Sequence, residues 1–290
     1  ISGYVIDYKG NDNVTTHDSS VTLTPTTKTS NATNNDVTVT GLLANVTYDL
    51  SAQLINDVNL KNSKIGLSAT TRPTTFVAND ISQNIGSTTQ TTLMMKVNNS
   101  QVGGSLNIDK YSFDVSGNNG ANSTSQTIEK TAVNKGPTAT NIDVSLNDLS
   151  ANTLYDLSVN MFNSQDLSST KVAESGVTRP SEFTTNDVSQ NMTSNVVTIN
   201  SVTMSAKHKD VAGTLDISGY NLTYSVTGGN TDTGSVTKTA TNKGPTASNN
   251  DITITGLQYP NSVYNVTTHL FNVHDMSNAT VTREASTRPS

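Results

Sequence analysis

The chain has no cysteine and no tryptophan, and only 5% of its 290 residues are aromatic and 14% charged. Without cysteine there are no disulfides, thiol nucleophiles, thiolate zinc sites or iron–sulfur clusters. Whatever folds here is held by packing and backbone hydrogen bonds, and the compartment stays open. No apolar run approaches the length of a spanning helix, and this portion opens without the basic-then-apolar pattern of a signal peptide. Lys and Arg number 17 against 23 acidic residues, and they are scattered. A surface that tracks phosphates is therefore not expected, and nucleic acid is not an expected partner.

What the chain does have is amide and hydroxyl: Asn, Ser and Thr make up about two fifths of it, beside 32% hydrophobic residues. Leu, Ile, Val and Phe come to about a fifth, near the level at which disorder is expected of a strongly charged chain. A net charge of -6 over this length is too small for self-repulsion to add to that expectation.

One pattern occurs three times. The tripeptide TRP stands at Thr71 to Pro73, Thr178 to Pro180 and Thr287 to Pro289, so successive copies lie 107 and 109 residues apart. Tyr48, Tyr155 and Tyr264 keep the same spacings, as do Tyr4, Tyr111 and Tyr220. The stretches KTAVNKGPTATNIDVSL from Lys130 and KTATNKGPTASNNDITI from Lys238 are nearly identical. A period this long suits tandem globular domains rather than solenoid turns. Inside each copy, apolar residues alternate at period two: Tyr4, Ile6 and Tyr8; Tyr111, Phe113 and Val115; Tyr220, Leu222 and Tyr224. Val37 and Val39 match Val144 and Leu146, and Ile252 and Ile254, as a further strand. Short half-buried strands separated by Gly, Asn, Asp, Ser and Pro clusters point to an all-β chain of tandem antiparallel β-sandwiches.

The stretch ISGYVIDYKG at the start, and LSANTLYDLSVNMFN from Leu149, resemble the third strand and the sixth strand with its preceding turn of fibronectin type III domains, within the immunoglobulin-like class. That resemblance implies a corner in which a Leu packs ahead of a Tyr whose hydroxyl bonds to upstream backbone. The implied pairs are Leu42 with Tyr48, Leu149 with Tyr155, and Leu257 with Tyr264. The third pair is one residue longer, so its turn should be reshaped around Pro260. The family's usual second-strand Trp is absent, and Leu93, Met95 and Val97, or Ile199, Val202 and Met204, have to fill its place. The expected boundaries are 1–73, an incomplete sandwich lacking its first two strands, then 74–180 and 181–290. Copies two and three carry FVANDISQNIG and FTTNDVSQNMT ahead of a second strand, and copy one shows neither.

No constellation for catalysis emerges. His17, His208, His269 and His274 do not recur between copies, no G-x-S-x-G is present, and acidic residues are mostly single Asp in turns. An enzyme is not expected, nor any cofactor. Asp80 and Asp187, at matching places after the junctions, are calcium candidates, since Ca²⁺ takes loop carboxylates. The turn-forming Asn-Asp reading of those positions is preferred. Arg72, Arg179 and Arg288 recur beside Pro, and a local cap or pair is the expected role. Nine N-x-S/T sequons, at Asn13, Asn31, Asn45, Asn98, Asn122, Asn191, Asn221, Asn265 and Asn278, are about what so Asn-rich a chain produces by chance.

The expected function is a non-enzymatic structural or adhesive protein of a cell or virus surface, a tandem-repeat spacer or fibre segment of a longer chain. Expected partners are neighbouring repeats or copies of itself, with a cell-surface receptor or glycan as a further candidate. Two other readings stand beside it: accessory modules of a secreted polysaccharide-degrading enzyme, and a surface polymer built by strand exchange.

Overall fold

The computed structural model describes residues 1–13, 15–25, 36–99, 102–118, 123–136, 142–184, 186–193, 197–208, 211, 213–244 and 250–290. The sequons at Asn31 and Asn122 lie outside the described residues. Apart from one short 3₁₀ turn, Ile85–Ser87, the regular structure among these residues is strand.

In the second repeat β5 (Ile81–Gln83), β6 (Leu93–Val97) and β9 (Ile142–Leu146) form one antiparallel sheet in the order β5-β6-β9. The other sheet contains β7 (Ile108–Asn118), β8 (Ser123–Thr131), β10 (Leu154–Asn163) and β11 (Val172–Val177), in the order β11-β10-β7-β8. The third repeat has the same plan, with β12 (Val188–Gln190), β13 (Ser201–Ala206) and β16 (Asn250–Thr255) in one sheet. Its other sheet is β14 (Ile217–Val226), β15 (Thr233–Thr239), β17 (Val263–Asn272) and β18 (Val281–Ser286). First, second and fifth strands face fourth, third, sixth and seventh, which is the fibronectin type III-like sandwich arrangement. The all-β expectation of tandem antiparallel sandwiches of this type is met.

The alternation in the sequence becomes the core. Tyr111, Phe113 and Val115 turn inward from β7, and Leu157, Val159 and Met161 from β10. Leu93, Met95 and Val97 meet them from β6. In the third repeat Val202, Met204 and Ala206 do this from β13. Ile199 does not take part: it sits in the turn that precedes β13 and is about half exposed.

The first repeat contributes one described sheet, β1 (Gly3–Asn11), β2 (Thr16–Leu23), β3 (Thr47–Ile55) and β4 (Ile65–Thr70), ordered β2-β1-β3-β4. Val37 and Val39, expected in a strand, are not in one. The equivalent β9 and β16 are each paired to a second strand, β6 and β13. No described residues of the first repeat supply that partner, so the backbone there has no ladder to join. Tyr4, Ile6, Tyr8, Leu50 and Leu54 are only partly buried, whereas Tyr111, Phe113, Leu157 and Met161 at matching positions are buried.

Candidate functional site

Each of the three turns before the sixth strand is a Tyr corner. Tyr48, Tyr155 and Tyr264 are buried, and each hydroxyl accepts a backbone N–H from five residues upstream: Leu43 at 2.9 Å, Ser150 at 2.7 Å and Tyr259 at 3.2 Å. Leu149 and Leu257 are buried beside them and Leu42 half-buried. In the longer third turn, Tyr264 Oη also donates to Asp232 Oδ2 at 2.7 Å.

Three residues before each Tyr stands an Asn with left-handed backbone: Asn45 at φ 58, Asn152 at φ 48 and Asn261 at φ 50. Asn tolerates that conformation better than most residues. The left-handed turn aims the side chain away from its own sandwich. Its N–H is fixed by the TRP segment, because Asn45, Asn152 and Asn261 donate to the carbonyls of Arg72, Arg179 and Arg288, each at 2.9 Å. The Thr of TRP closes the frame. Thr71 Oγ1 accepts from Val46 N and donates to Leu43 O, and Thr178 and Thr287 do the same in their copies.

At the two junctions these Asn side chains are fully buried hubs between repeats. Asn45 Nδ2 donates to Gly103 O at 3.2 Å and Leu106 O at 2.7 Å, and Asn163 Nδ2 donates to Asn45 Oδ1 at 3.1 Å. The carbonyl of Asn45 accepts the N–H groups of Ser105 and Leu106. The second junction repeats this almost atom for atom. Asn152 Nδ2 donates to Leu215 O at 2.6 Å, Asn272 Nδ2 donates to Asn152 Oδ1 at 3.0 Å, and Asn152 O accepts from Thr214 and Leu215.

Asn163 and Asn272 are held for this by their own turns, since their Oδ1 atoms accept the backbone N–H groups of Gln165 and Leu167, and of His274 and Met276. That leaves the amide N–H₂ pointing across. The approach also needs glycine. Gly104 (φ +72) and Gly213 (φ +78) lie so close to the carbonyls of residues 44–45 and 151–152 that a Cβ would overlap them.

The arginines belong to the same contact. Instead of pairing locally, Arg72 Nη1 donates to Ser168 O at 3.0 Å and Ser168 Oγ at 3.2 Å, in the next repeat. Arg179 reaches Ser277 O at 2.9 Å in the third repeat and ties back to Thr88 O and Ile85 O in its own. The short Pro-containing connection after Arg72 and Arg179 carries the chain past this face, and each of these guanidinium groups points at the following repeat. Arg179→Ala is expected to weaken the second junction by about 2 kcal/mol, the scale of charge-assisted hydrogen bonds. Arg72→Ala should do less at the first. Faster amide exchange at Thr214 and Leu215 in Arg179→Ala, with β10 unchanged, is the readout.

A cleft of about 380 Å³ lies at the second junction, lined by Thr88 to Thr91, Arg179, Glu182 and Ser277 to Ala279 among others. The Arg179 guanidinium is occupied by carbonyls, and the lining has no aromatic face for a sugar ring to stack on.

Asp80 and Asp187 serve turns. Asp80 Oδ2 accepts from Val77 N at 2.7 Å, and Asp187 Oδ2 from Thr184 N at 2.6 Å, with both residues nearly buried. Among the described residues no three His, Cys, Asp or Glu side chains come together as metal ligands. The sequons at Asn45 and Asn278 are buried in the folded chain.

His208 is a further buried polar group that spacing alone did not pick out. Its Nδ1 meets the Tyr220 hydroxyl and its Nε2 meets Gly244 O at 2.8 Å. The second repeat makes the same bridge with Asn99, which accepts from Tyr111 Oη at 3.2 Å and donates to Gly136 O at 3.1 Å. Burial holds the imidazole below its ordinary value, partly offset by the Gly244 carbonyl and the Asp187 charge. The unfolded chain therefore takes up more protons as pH falls through about 6.5, and the third repeat loses up to about 1.4 kcal/mol of stability per pH unit below that. His208→Asn, which installs the residue of the second repeat, should flatten this acid limb in urea unfolding at pH 7 and pH 5. A smaller residual slope should remain from His269, also held low by burial.

No protein-family model matches the chain, and no curated protein does. A crystal structure of the chicken CNTN1 FN1-FN3 domains is similar to it over 98% of this chain and 91% of that one, at 14% identity and a TM-score of 0.38. Among the described residues no helix is long and apolar enough to cross a membrane.

Proposed function

We propose that the chain is a non-enzymatic spacer or fibre segment, a tandem array of fibronectin type III-like sandwiches that works outside a cell or on a virus particle and holds other parts at a set distance. The three repeats, bounded at Pro73 and Pro180, are its building units, and its first partners are its own neighbouring repeats. The observation that carries this reading is the twice-repeated junction, in which buried Asn hubs and Arg contacts fix one repeat against the next. A binding module needs no such joint, whereas a spacer is defined by it. The hydroxyl- and amide-rich, weakly charged composition suits a hydrated surface position. Immunogold labelling of intact cells or particles with an antibody to the chain should mark their outer face. Label that appears only after permeabilisation overturns the proposal.

A second reading, a polymer formed by strand exchange, is favoured by the half-covered face of the first sheet, where Tyr4, Ile6, Tyr8, Leu50 and Leu54 lack the packing of their counterparts. Strands donated by another molecule would complete that face. Sedimentation of the purified chain tells the two apart: a single species of 30.6 kDa at every concentration excludes exchange, and a mass that rises with concentration supports it.

A further inference from the structure

The third repeat ends in the same frame that the first two use to grip their successors. Asn261 has the left-handed turn of Asn45 and Asn152, its N–H goes to Arg288 O, and the Thr287 hydroxyl bridges Ser262 N and Tyr259 O. Arg288 N donates to Thr198 O at 3.0 Å, as Arg179 N donates to Thr89 O at 3.1 Å. What differs is occupancy. Asn45 and Asn152 are fully buried, while Asn261 is exposed. Among the described residues neither the Asn261 amide nor the Arg288 guanidinium has a hydrogen-bond partner.

We propose that this end of the third repeat is a socket for the head of another sandwich of the same repeat, joined in tandem. The proposal rests on the spacer reading and extends it. The chemistry of the occupant is set by the two filled sockets. Its head must carry a Gly with left-handed backbone two residues before a Leu, in the places of Gly104 and Leu106 or Gly213 and Leu215, so that the loop lies against the socket carbonyls and offers two N–H groups. It must carry an Asn at the start of its last hairpin turn, in the place of Asn163 or Asn272, whose Oδ1 is spent on that turn and whose N–H₂ is free to cross. And it must present a carbonyl in the place of Ser168 or Ser277 to take the guanidinium.

A tandem unit fits better than the head of a second copy of this chain. Asn56 begins the corresponding turn of the first repeat, its Oδ1 accepting from Val58 N and Leu60 N, but Lys61 stands where Ser168 and Ser277 stand. A lysine there would set one cation against the Arg288 cation. Both filled sockets, moreover, take the sandwich that follows on the same polypeptide, where a linker of a few residues gives a high effective concentration.

The test extends the full chain by appending residues 182–290 after Ser290, so that Ser290 takes the place of Ser181. The Asn261 side-chain N–H₂ is then followed by NMR hydrogen exchange. Docking should slow it at least about a hundredfold relative to the three-repeat chain, the protection that a buried, bonded amide gains. Arg288→Ala in the extended chain should return most of that exchange. The same substitution in the three-repeat chain should change nothing. Protection of the appended repeat's own core strands shows that it has folded. A folded appended repeat with Asn261 exchanging as fast as before, or protection indifferent to Arg288→Ala, overturns the socket. Neither result bears on whether the protein is found at a surface, so this proposal and the spacer reading fail separately.

Discussion

Gly213→Ala is expected to undo the joint between the second and third repeats while leaving both sandwiches folded. At φ +78 the substituted residue is strained, and its Cβ would overlap the carbonyl oxygens of Ala151 and Asn152. Relief requires the loop to move off the socket, and with it go the bonds of Thr214 and Leu215 to Asn152 O and of Asn152 Nδ2 to Leu215 O. Left-handed strain and the loss of several buried bonds together amount to at least about 3 kcal/mol. Amides of Thr214 and Leu215 should exchange about a hundredfold faster, and small-angle scattering should change from one fixed pair-distance distribution to a broad one. Gly228→Ala is the control. It too has a left-handed glycine, at φ +87, but open space around its Cβ, so its cost should stay local and the junction intact. Equal effects from the two substitutions would mean that strain alone, and not the close approach, explains Gly213.

The second large effect is inside a sandwich. Tyr155 lies across the strand from Gly117, and Tyr48 across from Gly10, and a Cβ on either glycine would run into the Tyr ring. Gly117→Val should therefore overpack the corner of the second repeat and cost about 3 kcal/mol, lowering its melting transition by about 15 °C. The third repeat already has Val226 opposite Tyr264. There the turn is one residue longer and the hydroxyl is taken by Asp232, an arrangement that accommodates the extra methyl groups. Val226→Gly should accordingly cost about 2 kcal/mol, from backbone entropy and the lost packing of Val226 on the core, with no relief of strain. Calorimetry separates the two. A Gly117→Val transition at the parent temperature would mean that the ring is free to move aside.

Much of this was legible in the residues themselves. A strict period-two alternation has one cheap solution, a sheet with one buried face, so the alternation alone turns Tyr111, Phe113 and Val115 inward. The Tyr corners were legible because a large ring at a fixed spacing from a Leu and a closing TRP leaves few places for it to go. The strand expected at Val37 and Val39 was not borne out because a strand is a property of a pair: these residues have the right pattern, but the described residues of the first repeat include no second strand of the kind that Val144 and Ile252 pair beside.

The junction hubs were hidden by composition. Asn45, Asn152 and Asn261 keep the same spacings as the tyrosines, and so do Asn56, Asn163 and Asn272, but in a chain so rich in Asn a recurring Asn attracts no notice. The arginines did recur visibly. Their direction could not be read, because whether a guanidinium caps its own repeat or crosses to the next depends on where the linker turns. His208 was obscured differently, since the matching residue is Asn99 and the shared role lies in two hydrogen bonds rather than in a shared side chain.

The joints are made chiefly of neutral amides and backbone groups, with one guanidinium bound to carbonyl dipoles in place of a carboxylate. Such contacts have no pair of opposite charges for dissolved ions to screen. The angle between consecutive sandwiches should then change little between brine and fresh water. An array built this way keeps one outline in media whose ionic content varies, where a surface held together by paired lysines and glutamates would loosen and tighten with the salt around it.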